Sequence, residues 1–222
     1  GTMLNIAIDG PAGAGKSTAA KIIAEKLGIL YLDTGAMYRA IGLKALRLGI
    51  DTHDAERIAA MLPDTAVTIK YIDGSQNIFL DGENVTPYIR ENKVSMAASD
   101  VSAIPAVRVK LVELQRDIAR NNDCILDGRD IGTYVLPSAE YKFYITATAE
   151  ERAKRRHKEL TDKGVDISYE SVLKDIAERD KNDSTRAFAP LKKADDAFEF
   201  DTTTMSIDEV VKRLLARINC EL

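Results

Sequence analysis

The run Gly10-Pro11-Ala12-Gly13-Ala14-Gly15-Lys16-Ser17-Thr18 sets two glycines five residues apart and follows the second with lysine and a hydroxyl residue. This Gly-x4-Gly-Lys-Ser spacing suits the cradling of a polyphosphate. Glycines let backbone N–H groups converge on an anion with no Cβ in the way. A helix starting near Lys16 would aim its unpaired N–H groups and its positive dipole end at the same point. Lys16 then reaches the β- and γ-phosphates, and the Ser17 hydroxyl ligates Mg²⁺. Residues 10–18 are the expected ATP-binding loop, with Lys16 catalytic and Ser17 a metal ligand.

The remaining chemistry is carried by arginine. Arg39, Arg129, Arg179 and Arg186 fall near predicted strand ends or in a charged segment, and Arg108 lies on a predicted helix. The guanidinium fork matches phosphate oxygens, so several arginines around one phosphate loop imply two phosphorylated ligands, a donor and an acceptor. A guanine-nucleotide switch is excluded: Asn92-Lys93 is followed by Val94-Ser95, and no glycine has aspartate three residues before it. Asp127 is a candidate partner of the metal, with Asp33 as the alternative. Taken singly, Arg108 on an amphipathic helix reads as a solvated residue. The basic run Arg152, Lys154, Arg155, Arg156, Lys158 reads equally as a solvated face or as groups over ATP. His53 and His157 read as surface residues, and Tyr38 as either core or ligand wall. At this level two readings stand: a P-loop kinase for a small acceptor, whether a nucleotide such as UMP or a non-nucleotide, and a nucleotide-binding regulator without phosphotransfer.

These residues need a scaffold. Leu4 to Asp9 reads as a strand, and Ala20, Ile23, Ala24 and Leu27 share a face of the following helix, which Gly28 stops. Ile29 to Leu32, Cys124-Ile125-Leu126, Lys142 to Thr146 and Ala197 to Phe200 read as further strands. Helices follow through Tyr38 to Leu46, from Pro105 to Ile118, near Glu150 to Leu160, and after the capping box Ser206/Glu209. Strands alternating with helices predict an α/β fold: a doubly wound parallel five-stranded sheet with helices on both faces. Between Val67 and Leu80 the period shortens to two, with turns at Asp73-Gly74 and Asp81-Gly82, which predicts a small antiparallel insert over about 62–98.

The 222 residues bury a core without staples, and the formal net charge of −4 argues against a general polynucleotide binder. No apolar stretch approaches a membrane span. Cys124 and Cys220 are too few for a disulfide framework, and the start of the chain has no signal-peptide pattern, so a cytoplasmic setting is expected. Gly1-Thr2 ahead of Met3 reads as a cloning remnant. With no interface stripe in evidence, a monomer is expected.

Asp33-Thr34-Gly35-Ala36-Met37-Tyr38-Arg39, Asp127-Gly128-Arg129-Asp130-Ile131-Gly132, and Arg179 through Asp183 to Arg186 with Ala189-Pro190-Leu191 resemble the motifs of the bacterial cytidylate kinases, in order over nearly the whole chain. The resemblance implies ATP- and Mg²⁺-dependent phosphorylation of CMP and dCMP. It places Arg39, Arg129 and Arg186 at the acceptor phosphate, Thr34, Arg108 and Asp130 at cytosine, and Arg179 and Asp183 at the sugar, with Arg129 and Arg186 joining Lys16 as catalytic. Thr34 stands where the family often has serine. The implied organisation is a core of 1–61, 99–153 and 191–222, an insert of 62–98 beside the monophosphate, and a lid of 154–190.

Overall fold

Ile6, Ala7 and Ile8 have no solvent exposure because their strand is covered on both faces, and the rest of the sheet assembles around it. The structure is a computed structural model and describes residues 2–219; Gly1 and Cys220 lie outside the described residues. In chain order the elements are β1 (Asn5–Asp9), α1 (Lys16–Leu27), β2 (Leu30–Asp33), α2 (Thr34–Arg47), α3 (Ala55–Met61), β3 (Val67–Ile72), β4 (Ser75–Leu80), β5 (Glu83–Asn84), α4 (Asn92–Ser102), α5 (Pro105–Asn121), β6 (Cys124–Gly128), β7 (Tyr141–Thr146), α6 (Ala149–Asp162), α7 (Tyr169–Thr185), β8 (Phe198–Asp201) and α8 (Ile207–Asn219).

The main sheet runs β2-β6-β1-β7-β8, and every pairing in it is parallel. Alternate side chains feed two cores. Ala7, Leu32, Cys124 and Leu126 pack with α2, α4 and α5, whereas Ile6, Ile8, Ile125, Phe143 and Ile145 pack with α1 and α8. Cys124 is buried and unpaired, as its apolar setting predicts. The order places β1, and hence the phosphate loop, in the middle of the sheet, where the carboxyl ends of parallel strands open a crevice for ligands.

The predicted strands appear with ends shifted by one residue, or two at the end of β6. The predicted insert divides into two parts. Its antiparallel sheet covers only β3, β4 and β5, while α4 begins at Asn92 and packs on α2. Gly42 makes that packing possible: a Cβ there would lie 2.9 Å from the Ala98 amide nitrogen and 3.0 Å from Ala97. The charged tract after residue 158 contains the long helix α7, which shares a separate small core with α6 through Ala153, Leu160, Val172 and Ile176. Four buried apolar residues form this core, too few to stand out among the charges. Among the described residues no helix is long and apolar enough to cross a membrane.

Candidate active site

One cavity of about 620 Å³ lies at the carboxyl ends of the strands, and the phosphate loop forms its floor. Gly10 must lack a side chain, because a Cβ would sit 2.1 Å from the Ile145 carbonyl oxygen. Helix α1 starts at Lys16 behind Gly15, which offers no side-chain cap, so its first N–H groups remain available to an anion. Lys16 is buried, and burial, aided by nearby Arg129, pushes its pKa down to about 8. A cation held this way gains on meeting a polyphosphate.

Across the cavity stand the arginines, brought from three elements. Arg39 on α2 and Arg179 on α7 each bury an Nε–H that has no hydrogen-bond partner. Burial pushes both pKa values down to about 10, with Arg129 and Arg156 adding like-charge repulsion to each. Arg129, just past β6, donates from Nε to Asp183 at 2.9 Å, and Asp183 also faces Arg186 at 3.6 Å. Arg186 is fastened by Nε to the Ala189 carbonyl and reaches the Ser102 hydroxyl at 3.3 Å. Asp183 thus fixes two arginines while its own helix carries a third.

The far end of the cavity is uncharged overall but built from charges. Arg108 and Asp130 form an ion pair at 2.6 Å, and Arg108 also donates to the Ser102 carbonyl and lies over the Tyr38 ring at 4.8 Å. Arg108 is therefore buried, not solvated as its helix position suggests. Thr34 donates its hydroxyl to the Asp127 carbonyl at 2.6 Å, which leaves oxygen lone pairs but no proton for a ligand. Tyr38 serves as wall and core together.

The metal candidates also converge. Tyr31 donates to the Asp127 carboxylate, and Ser17 lies beside Tyr31. Burial, reinforced by Asp33, raises the Asp127 pKa; burial acts on Asp33 as well, but Arg39 and Arg90 outweigh it and hold that carboxyl low. Two adjacent carboxylates and a hydroxyl are hard oxygen donors. No group of three or more acidic, histidine or cysteine side chains able to cage a metal exists among the described residues. This set suits Mg²⁺, which keeps waters and phosphate oxygens in its shell.

The cavity thus gathers all the singled-out residues from Ala12 to Thr18, together with Thr34, Arg39, Arg108, Asp127, Arg129, Asp130, Arg179, Asp183 and Arg186. Gly10 and Pro11 do not line it. In the basic run, Arg152 is buried in a two-pronged pair with Asp180, and Arg155 bonds the Ala14 and Thr202 carbonyls. Arg155 and Arg156 line the cavity, whereas Lys154 and Lys158 are solvated. His53 is exposed, but His157 is half-buried against the Ile167 carbonyl.

Sequence reasoning missed Arg90, which pairs with Asp33 at 2.9 Å, and the α4 serines 95, 99 and 102. The serines sit at i, i+4 and i+7, a one-face spacing that could have marked them. Arg90 carried no such signal.

The cytidylate kinase family model matches residues 6–220. A cytidylate kinase from Caldicellulosiruptor bescii is 56% identical over 212 residues, covering 96% of this chain and 94% of that protein. One from Clostridioides difficile is 50% identical over 216 residues, covering 97% and 98%. An uncharacterized protein from Eubacterium ventriosum matches in structure with a TM-score of 0.52 at 13% identity, over 98% of this chain and 99% of that one, a likeness of fold alone.

Proposed function

The chain belongs to the cytidylate kinase family, and on that premise we propose that it transfers the γ-phosphoryl group of ATP in line to the phosphate of CMP or dCMP, with Mg²⁺, giving the diphosphate. It is a nucleoside monophosphate kinase. The observation that carries the proposal is the buried, unpartnered Nε–H of Arg39, which lines the same cavity as the phosphate loop. A buried donor of this kind calls for an anion other than the one in the loop.

In this reading ATP lies in residues 10–18 with Lys16 at its β- and γ-phosphates. Arg39, Arg129 and Arg186 hold the acceptor phosphate, and Arg179 and Asp183 hold the sugar. Ser17, with Asp127 or Asp33, would hold Mg²⁺, which would supply charge neutralisation at the polyphosphate. No general base is needed, because the attacking oxygen belongs to a phosphate that is already anionic at neutral pH. Alignment and neutralisation of charge remain as the protein's task.

Thr34, Arg108 and Asp130 read the base. Cytosine donates from N4 and accepts at N3 and O2. The Asp130 carboxylate and the Thr34 oxygen accept, and Arg108 donates. Uracil would turn O4 toward the Asp130 anion, at a cost on the order of 1–3 kcal/mol per unpaired group. The 154–190 segment is the lid: α6 and α7 share a core of their own, so they can move together and keep water from the γ-phosphate. The sheet of the 62–98 segment borders the monophosphate side.

A coupled assay over CMP, dCMP, UMP, AMP and GMP with ATP and Mg²⁺ tests this. Turnover of CMP and dCMP should far exceed the others. Absence of turnover across the whole panel would sink the reading.

A further inference from the structure

Asp9 ends β1 and directly precedes the phosphate loop, yet its carboxylate points away from that loop's work. One oxygen accepts the Ile131 N–H at 2.9 Å and the other accepts the Gly132 N–H at 2.8 Å. Those amides open a short helical turn, Ile131–Val135, whose first N–H groups have no partner inside the turn. A carboxylate suits that position, since the N-terminal end of a helical turn carries partial positive charge. At its other end the turn folds back on Asp130, whose carbonyl accepts from the Tyr134 and Val135 amides at 2.9 and 3.0 Å.

The strand before the turn is tied to the same place. Asp9 is in register with Gly128, and the Gly10 amide donates to the Gly128 carbonyl at 3.3 Å. Residues 128 and 131 are therefore both anchored to the end of β1. Only Arg129 and Asp130 lie between the anchors, and two residues pinned on both sides have little freedom to reorient. Asp130 is the residue that meets Arg108 at 2.6 Å, and Arg129 is the one that meets Asp183.

We propose that Asp9 is a positioning residue for acceptor recognition: by gripping the amides of Ile131 and Gly132 it holds Arg129 and Asp130 where the monophosphate and its base are read. The proposal rests on the kinase reading above. It also makes the first residue before the donor loop part of the acceptor site, so the two nucleotides are held in relation by one carboxylate. Asparagine has nearly the same shape but only one accepting oxygen, and its amide nitrogen would face the second N–H.

The test is Asp9→Asn, checked for folding by circular dichroism. Its KM for CMP should rise about tenfold and its preference for CMP over UMP should shrink, while its KM for ATP stays within about twofold. Amide hydrogen exchange at Ile131 and Gly132 should quicken by about tenfold relative to amides of β6. A folded variant with unchanged KM for CMP and unchanged base preference overturns the proposal. If the variant does not fold, the wild-type protein decides: Ile131 and Gly132 must exchange as slowly as β1 amides, and exchange at the rate of open peptide overturns the grip. Failure of the wild-type enzyme to phosphorylate CMP overturns the kinase reading instead, through the monophosphate panel and not through the exchange data.

Discussion

Arg108 on α5 and Asp130 after β6 meet at 2.6 Å with side chains only 2% and 3% exposed. A pair so buried is weak evidence of stability in itself, but removing one partner strands the other. Asp130→Ala should therefore destabilise the fold by about 3–5 kcal/mol. It should also abolish most of the preference for CMP over UMP. Denaturant midpoints and the two kcat/KM values measure this. A variant that keeps both stability and preference would show that the pair neither reads the base nor matters to folding.

Lys16, with a pKa pushed down to about 8, is partly neutral in mildly alkaline solution. A bound polyphosphate favours the charged form and raises that pKa, so nucleotide binding at pH 8 should take up a proton. Titration calorimetry in buffers of different ionisation enthalpy would reveal it as a buffer-dependent heat. In Lys16→Ala that dependence should vanish and kcat should fall by roughly 10²-fold or more.

Gly128→Ala should damage acceptor binding while sparing the donor. A Cβ at this position would lie 2.7 Å from the Thr34 hydroxyl oxygen and 2.9 Å from the Ile131 side chain. Both must shift, and both belong to the base end of the cavity. The expected result is an elevated KM for CMP, by about tenfold or more, with nearly unchanged ATP affinity. An elevated KM for ATP instead would place the damage in the phosphate loop.

Asp9 carries a pH signature. Burial raises its pKa from 3.8 to about 7, with nearby Asp130 adding to the rise and the Gly132 and Ile131 amides and Lys16 opposing it. Between those values the folded protein keeps a proton that the unfolded chain releases, and that proton occupies one of the two accepting oxygens, so the grip on the Ile131 and Gly132 amides is complete only above about pH 7. The contribution of this group to stability is thus fully present below about pH 4 and lost as pH climbs through 7. Wild type should gain stability relative to Asp9→Asn as pH falls from 8 to 5. Denaturation midpoints of the two proteins across that range check the sign, and parallel curves would contradict it.

Much of this molecule was legible along the chain because the relevant physics is local. Gly10 to Thr18 specify a loop geometry by residue type and spacing. Alternation around Val67 to Leu80 specifies a hairpin, and the strand–helix alternation specifies a parallel sheet. The family motifs could be read in order because each one is contiguous. The helices α4 and α7 were harder, since their apolar faces are narrow and depend on partners: α4 on Gly42 of α2, α7 on α6.

What the linear order of residues determined, then, was the phosphate loop, the sheet and the cast of arginines. Only the tertiary structure decided that Arg108 is buried against Asp130, that Asp183 braces Arg129 and Arg186, that Arg90 pairs with Asp33, and that Asp9 grips the turn after Asp130. Each of these joins segments far apart in sequence. The strength of such charges and hydrogen bonds depends on the removal of water, and how dry a side chain becomes is decided by which distant segments close over it, not by its neighbours along the chain.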